Sequence, residues 1–190
     1  MDEIKLKIKK MHPDAKIPSL SHDDDAGYDI TVIDDGTIEL EEIESEMMKG
    51  LFGANARKCF RVKYIEYRTG LAIEPPPGYH IEIVARSSVS KYDIILANCL
   101  AIGDGGYRNE YKLRFRILPL DVKMQMQTTK EEAIKEALDY IHNNDIKIFK
   151  KGERAAQILL RKTEHLPIQE VEELTDTERG LGGFGSTGKA

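Results

Sequence analysis

Leu71-Ala-Ile-Glu-Pro-Pro-Pro-Gly-Tyr-His-Ile-Glu-Ile-Val84 holds two short apolar runs parted by three prolines and a glycine. Proline fixes φ and has no N–H to give, so the middle of this stretch can continue neither a helix nor a ladder. LAIE and HIEIV therefore read as two strands joined by a loop. The same rhythm recurs outward. In residues 111–117, Tyr111, Leu113, Phe115 and Ile117 alternate with Lys112, Arg114 and Arg116, the period-2 pattern of a strand with one wet face. In residues 3–9, Ile4, Leu6 and Ile8 alternate with lysines, which suit an edge strand guarded against aggregation. Residues 146–149 and 156–161 read as further short strands. Many short strands with Gly/Pro turns predict an all-β barrel or sandwich.

The chain has 190 residues, enough to bury a core without staples. Its net charge is 28 − 33 = −5, which disfavours a dedicated nucleic-acid binder. No run approaches the roughly 20 apolar residues of a membrane span, and the N-terminus has no signal-type apolar stretch. Cys59 and Cys99 are the only cysteines, too few for a disulfide framework or a cysteine zinc cluster. The expectation is a cytoplasmic protein (host cytoplasm, if a virus or phage encodes it) that engages neither membrane nor nucleic acid.

Two segments break the β rhythm. Residues 41–60 mix Glu, Met, Gly and basic residues without clean periodicity. Residues 128–144 are helical in pattern: Thr128 or Thr129 caps, Glu131 or Glu132 completes a capping box, and Ile134, Leu138 and Ile141 share one face. The helix is expected near 128–142. Both segments, at about 41–60 and 121–147, read as insertions on a β domain spanning 1–178. They serve either as a partner surface or as local packing.

The end of the chain, Arg179-Gly-Leu-Gly-Gly-Phe-Gly-Ser-Thr-Gly-Lys-Ala190, matches two phosphate-binding patterns literally. Gly180-x-Gly182-x-x-Gly185 fits the dinucleotide fingerprint, and Gly183 to Lys189 fits most of a P-loop. Both fail on context, because each needs a helix after it. The physics behind them survives. Glycine lets backbone N–H groups approach an anion, Ser186 and Thr187 add hydroxyl donors, and Arg179 adds a planar fork. Phe184 is a lone aromatic able to stack on a base. A free chain end is the alternative reading. Elsewhere, Asp104 sits among Gly103, Gly105 and Gly106 in a turn, either for backbone hydrogen bonding or as a carboxylate that activates water. Arg86-Ser-Ser88, Lys151-Gly-Glu-Arg-Ala-Ala-Gln157 and Asp25-Ala-Gly-Tyr-Asp29 are each weak alone.

Taken in order, these five stretches resemble the five motifs of the trimeric dUTP pyrophosphatases (dUTPases): AGYDI at 26–30, RSSV at 86–89, the segment Asn98 to Glu110, KGERAAQ at 151–157, and RGLGGFGSTG at 179–188. The resemblance implies a β jelly-roll-like barrel assembled as a homotrimer, with sites shared between subunits and residues 179–190 as a glycine-rich lid. It implies hydrolysis of dUTP to dUMP and pyrophosphate by water attack on the α-phosphorus. Asp104 would be the general base, Tyr107 would pack under the deoxyribose, and Asn98 would read the uracil edge. Ser87 and Gln157 would hold phosphates, with Arg86 and Ser88 beside them. Arg179, Gly185, Ser186 and Thr187 would clamp the γ-phosphate while Phe184 stacks on uracil. Mg²⁺ would ride chiefly on the triphosphate, with Asp29 in a structural or at most water-mediated metal role.

Three departures accompany the resemblance. Gly103 replaces the usual aliphatic residue before the base, and Asn109 replaces a usual glycine, suggesting positive φ there. The insertions imply a regulatory protein partner beside catalysis. The nearest rival, dCTP deaminase, resembles an enzyme with a glutamate shortly after the third motif. Arg114 stands at that position here, and Glu110 comes too early. A non-catalytic binding module is the rival from another class.

Overall fold

The computed structural model describes residues 4–43, 58–118, 125–127 and 129–182. Two antiparallel sheets enclose one core. The first has the order β2-β11-β6-β8, from Tyr28–Thr31, Arg154–Lys162, Tyr79–Ala85 and Leu100–Gly103. The second is built on the long strand β4 (Lys58–Arg68). One edge of β4 carries β3 (Thr37–Ile43); the other carries β9 (Lys112–Ile117) and the short β10 (Gln125–Gln127), with β7 (Ile94–Leu96) beyond β9. A separate pair joins β1 (Lys7–Lys10) to β5 (Leu71–Glu74).

Residues 71–84 form β5, a proline loop and most of β6, as their sequence predicts. Strand β9 alternates as its sequence does. Leu113, Phe115 and Ile117 face the core, while Lys112 and Arg114 reach across to Glu66 on β4 at 2.7 and 2.9 Å. Burial pushes the Glu66 carboxyl up, but these two cations outweigh it and hold the group below its usual range.

Aromatic rings meet in the core, two from adjacent strands of the second sheet and one from the segment that follows the helix. Tyr67 on β4 and Phe115 on β9 meet edge-on with centroids 6.0 Å apart, and Phe149 packs against Phe115 at 5.2 Å. All three rings are fully buried. The Tyr67 hydroxyl donates to the Phe149 carbonyl, and burial keeps its phenol neutral.

Three expectations change. Residues 146–149 form no ladder strand; Phe149 is instead an anchor that pulls the chain back from the helix towards β11, with a backbone bond from Asp93 to Lys147. Strand β1 starts at Lys7 rather than Glu3, and Ile4 is exposed. The helix, α1 (Lys130–Asn143), has the expected capping box of Thr129 and Glu132, but it buries Ala133, Ala137 and Ile141 and leaves Leu138 about half exposed. The small residues let α1 lie close on β3, β4 and β10, which rotates the buried stripe away from Leu138. The 41–60 segment is the far end of the β3–β4 hairpin, and residues 44–57 lie outside the described residues. Residues 121–124 and 128 of the second segment do so too.

Phe149→Ala is expected to destabilise the fold by about 3–5 kcal/mol, because the ring meets those of Tyr67, Tyr92 and Phe115 in a closed core. Urea denaturation followed by far-UV circular dichroism measures it. Thr129→Ala should cost only about 1 kcal/mol, since it removes one cap.

Candidate active site

Strand β6 is bonded on both edges, and its register places the candidate groups. Against β8, Ile81 faces Gly103; against β11, Ala85 faces Ala156. The two ends of β6 therefore carry two separate clusters, Ile81 and Ala85 standing roughly 13 Å apart at strand rise.

The first cluster surrounds a pocket of about 840 Å³ lined by Asn98, Gly103, Asp104, Tyr107, Glu110 and Tyr111 among others. Asp104 follows the last residue of β8 and opens a tight turn, its carbonyl accepting from the Tyr107 N–H at 3.0 Å. The Asp104 side chain is exposed at the turn, free to meet a ligand in the pocket. Tyr107 is half-exposed and its hydroxyl donates to the Glu110 carbonyl at 3.1 Å. Asn98 lies in the turn between β7 and β8. The left-handed residue there is Cys99, at φ 54°, and Asn109 does not have the positive φ its sequence position suggests. Asn109 instead accepts the Glu110 N–H through its side chain at 2.7 Å, which closes the turn without glycine.

Glu110 is a structural carboxylate. It holds Arg68 through both oxygens at 3.1–3.3 Å and accepts the Gly70 N–H at 2.8 Å. Arg114 pairs with Glu66. Neither position supplies a free acid of the kind the deaminase reading requires.

The second cluster gathers at the other end of β6. Arg86 leads into a short 3-10 turn, Ser87–Lys91, in which Ser90 Oγ donates to the Ser87 carbonyl. Gln157 on β11 stands opposite Asp29 on β2. Gly27 makes that approach fit: a Cβ there would lie 3.1 Å from Gln157 Cβ. Asp29 is 5% exposed. Its Oδ2 accepts from Arg154 Nη1 at 2.7 Å and from Ser21 Oγ at 3.2 Å. Its Oδ1 faces Arg86 Nε at 2.8 Å without hydrogen-bond alignment, so that contact is ionic. Both oxygens are committed to guanidinium groups. Among the described residues no group of three or more His, Cys, Asp or Glu side chains gathers as a metal cage. Asp29, with both oxygens engaged by guanidinium groups, has no free oxygen for direct coordination of a cation.

Arg179 Nε donates to the Gly182 carbonyl at 2.8 Å in the turn that ends the described chain. Phe184, Gly185, Ser186 and Thr187 lie outside the described residues. Three contacts escape sequence reading: Arg154 as the second partner of Asp29, Glu110 as the brace of Arg68, and Ile81 with Tyr111 around Gly103. Arg154 and Glu110 both lie inside motif stretches, but all three contacts join residues distant in the chain and leave no local signal.

Fold and pocket define a β-sheet scaffold that offers a small ligand an exposed acid beside an aromatic ring. Comparison with known proteins sharpens this. A family model described as dUTPase matches residues 140–188. The deoxyuridine 5'-triphosphate nucleotidohydrolase of Nautilia profundicola is 34% identical over 98% of this chain and 100% of its own length. That of Crocosphaera subtropica is 31% identical over 97% and 99%. Among solved structures, a Staphylococcus bacteriophage 80alpha dUTPase mutant with dUpNHpp overlaps with a TM-score of 0.60 at 20% identity, covering 97% of this chain and 99% of that one. A mutant dUTPase of the S. aureus phage phi11, described with a structural Mg(II) ion, overlaps at 0.55 and 16% identity, covering 90% and 99%. The chain belongs to the dUTPase family.

Asp29→Ala is expected to destabilise the protein by about 3 kcal/mol, because it strips the partner from the largely buried Arg86. Arg154→Ala should cost less, about 1 kcal/mol or under, since that guanidinium is half in solvent. Paired urea titrations test the order; equal losses would count against it.

Proposed function

We propose that this chain hydrolyses dUTP to dUMP and pyrophosphate. The observation that carries the proposal is Asp104, exposed in its turn on a pocket that Asn98 and Tyr107 also line, in a member of the dUTPase family. Asp104 orients a water and takes its proton. The water oxygen bonds to the α-phosphorus, the bond from that phosphorus to the bridging oxygen breaks, and pyrophosphate leaves. Such displacement depends mainly on positioning and charge stabilisation. Tyr107 packs under the deoxyribose and leaves no room for a 2′-hydroxyl, while Asn98 reads the uracil edge. A site of paired donors and acceptors rejects the wrong base because mispairing leaves buried polar groups unsatisfied.

Ser87, Ser88 and Gln157 serve the phosphates, with Arg86 held in place by Asp29. Because these groups sit at the far end of β6 from Asp104, one chain offers two half-sites. A homotrimer that joins half-sites from neighbouring copies accounts for the separation. The same assembly would cover the exposed apolar side chains of the arm after β11, where Leu166, Ile168 and Leu174 are 84–100% exposed. Residues 179–190 then close over a neighbour's site, with Arg179, Gly185, Ser186 and Thr187 on the γ-phosphate and Phe184 on uracil. Mg²⁺ would be held chiefly by the substrate's triphosphate, where it would supply charge neutralisation, in keeping with its preference for phosphates and waters over an all-protein cage. Asp29, occupied by two guanidiniums, contributes by fixing Arg86.

Pyrophosphate release from dUTP with Mg²⁺, run beside dCTP, dTTP and UTP, tests the reading. Release from dUTP alone is expected; equal release from UTP would overturn the role given to Tyr107. Asp104→Asn should keep nucleotide binding and lose roughly 10²–10⁴-fold in kcat, the usual worth of a general base. Removing residues 179–190 should abolish turnover and leave the oligomer unchanged by light scattering. Dissociation would make the tail part of the assembly instead.

A further inference from the structure

Gly103, directly before Asp104, is a position in the pocket where a side chain is sterically excluded by two others. A Cβ there would stand 2.3 Å from Ile81 Cγ1, 2.9 Å from Ile81 Cδ1 and 2.7 Å from the Tyr111 hydroxyl oxygen. The hollow behind Asp104 is therefore filled from two other segments. Both fillers are fixed. Ile81 is fully buried in the middle of its sheet. Tyr111 is 8% exposed, its N–H donates to the Leu71 carbonyl at 2.8 Å, and its carbonyl accepts from the Thr69 hydroxyl.

The Tyr111 ring has a second contact. It meets Tyr107 edge-on, with centroids 4.9 Å apart and planes at 77°, the favoured arrangement for an aromatic pair. The Tyr111 hydroxyl is buried and has no hydrogen-bond partner among the described residues. An unpaired buried hydroxyl is unfavourable, so hydrogen bonding does not explain the residue. What the side chain supplies is volume: its oxygen closes the slot behind Gly103, and its ring backs Tyr107.

We propose that Tyr111 is a positioning residue for the dUTP reaction, acting through Tyr107 to set discrimination against a 2′-hydroxyl and through Gly103 to place Asp104. This rests on the function proposed above. Tyr107 touches the sugar only as firmly as its support allows. A platform that can recede admits the extra oxygen of a ribonucleotide, and a displaced base attacks from a poorer angle. Misplacement on the ångström scale costs up to about 10²-fold in rate.

The test compares wild type, Tyr111→Phe and Tyr111→Val on dUTP and UTP, each variant first checked for a cooperative melt and unchanged oligomer size. Tyr111→Phe keeps the ring and should hold the dUTP/UTP ratio of kcat/KM within about twofold of wild type. Tyr111→Val should lower that ratio about tenfold and lower kcat on dUTP by more than it raises KM, as expected when the reacting geometry is lost rather than binding. A folded Tyr111→Val with wild-type selectivity overturns the proposal, as does a Tyr111→Phe whose dUTP/UTP ratio falls as far as that of Tyr111→Val. Should Tyr111→Val not fold, Gly103→Ala decides. It should lower kcat, and adding Ile81→Ala should restore most of the loss; strictly additive effects overturn the proposal. Wild type that releases no pyrophosphate from dUTP defeats the functional reading itself. Wild type that is active and selective, with an equally selective Tyr111→Val, defeats only the role of Tyr111.

Discussion

Strand β6 is hydrogen-bonded along both edges, and its register sets where the two clusters of candidate groups stand. Ile81 opposite Gly103 fixes where Asp104 leaves β8, and Ala85 opposite Ala156 fixes where Gln157 and Arg86 stand. A slip of one residue would turn each side chain to the opposite face. That slip is blocked by burial, because Ile81 and Ile83 both sit in the core and would be driven into solvent. The core thus sets the spacing: the apolar alternation of HIEIV is also the ruler that separates the two clusters.

The same constraint explains why the pocket tolerates a glycine before its acid. A flexible residue ahead of a base is a source of disorder, since glycine has more conformational freedom to lose. Here Gly103 is the paired end of a ladder, and the space a side chain would take is occupied by Ile81 and Tyr111. The freedom is removed by packing rather than by backbone chemistry. Substituting a larger residue for Gly103 would push against Ile81, and through it against the register of β6.

Much of this was legible in the sequence, and the rest was not, for identifiable reasons. LAIE-PPPG-HIEIV gave its two strands because proline chemistry and alternation are local. Thr129 and Glu132 gave the helix start for the same reason. Residues 146–149 misled because an apolar Ile-Lys-Ile-Phe run looks alike whether it pairs with a strand or buries one ring, and only the presence of Tyr67 and Phe115 decides for the ring. The helix face misled because Ala133 and Ala137 outrank Leu138 when the helix must lie close to a sheet. At the site, Asp104, Tyr107 and Asn98 were marked by their glycine-rich turn. Glu110 and Arg154 were not, since each acts on a partner distant in the chain, Arg68 and Asp29. Tyr111 was hidden differently: its alternation with Lys112 and Leu113 reads as one more core position of a strand, and nothing local says that its ring backs Tyr107.

Asp29 illustrates how a motif carboxylate can be held by cations of its own chain. Read alone, a buried carboxylate in a phosphate-handling protein invites a cation. Its two oxygens here meet two arginines, leaving the cluster with an excess of positive charge at the end of β6 where Ser87 and Gln157 also lie. On the proposed function, the phosphates would meet cations on the protein while the metal would come with the substrate. The buried Asp29 then serves by orienting guanidinium forks that would otherwise splay into solvent. Arg86, with only 22% of its side chain exposed, is the fork so held, and Arg154 closes the other side. The negative charge at this position is the means by which positive charge is aimed.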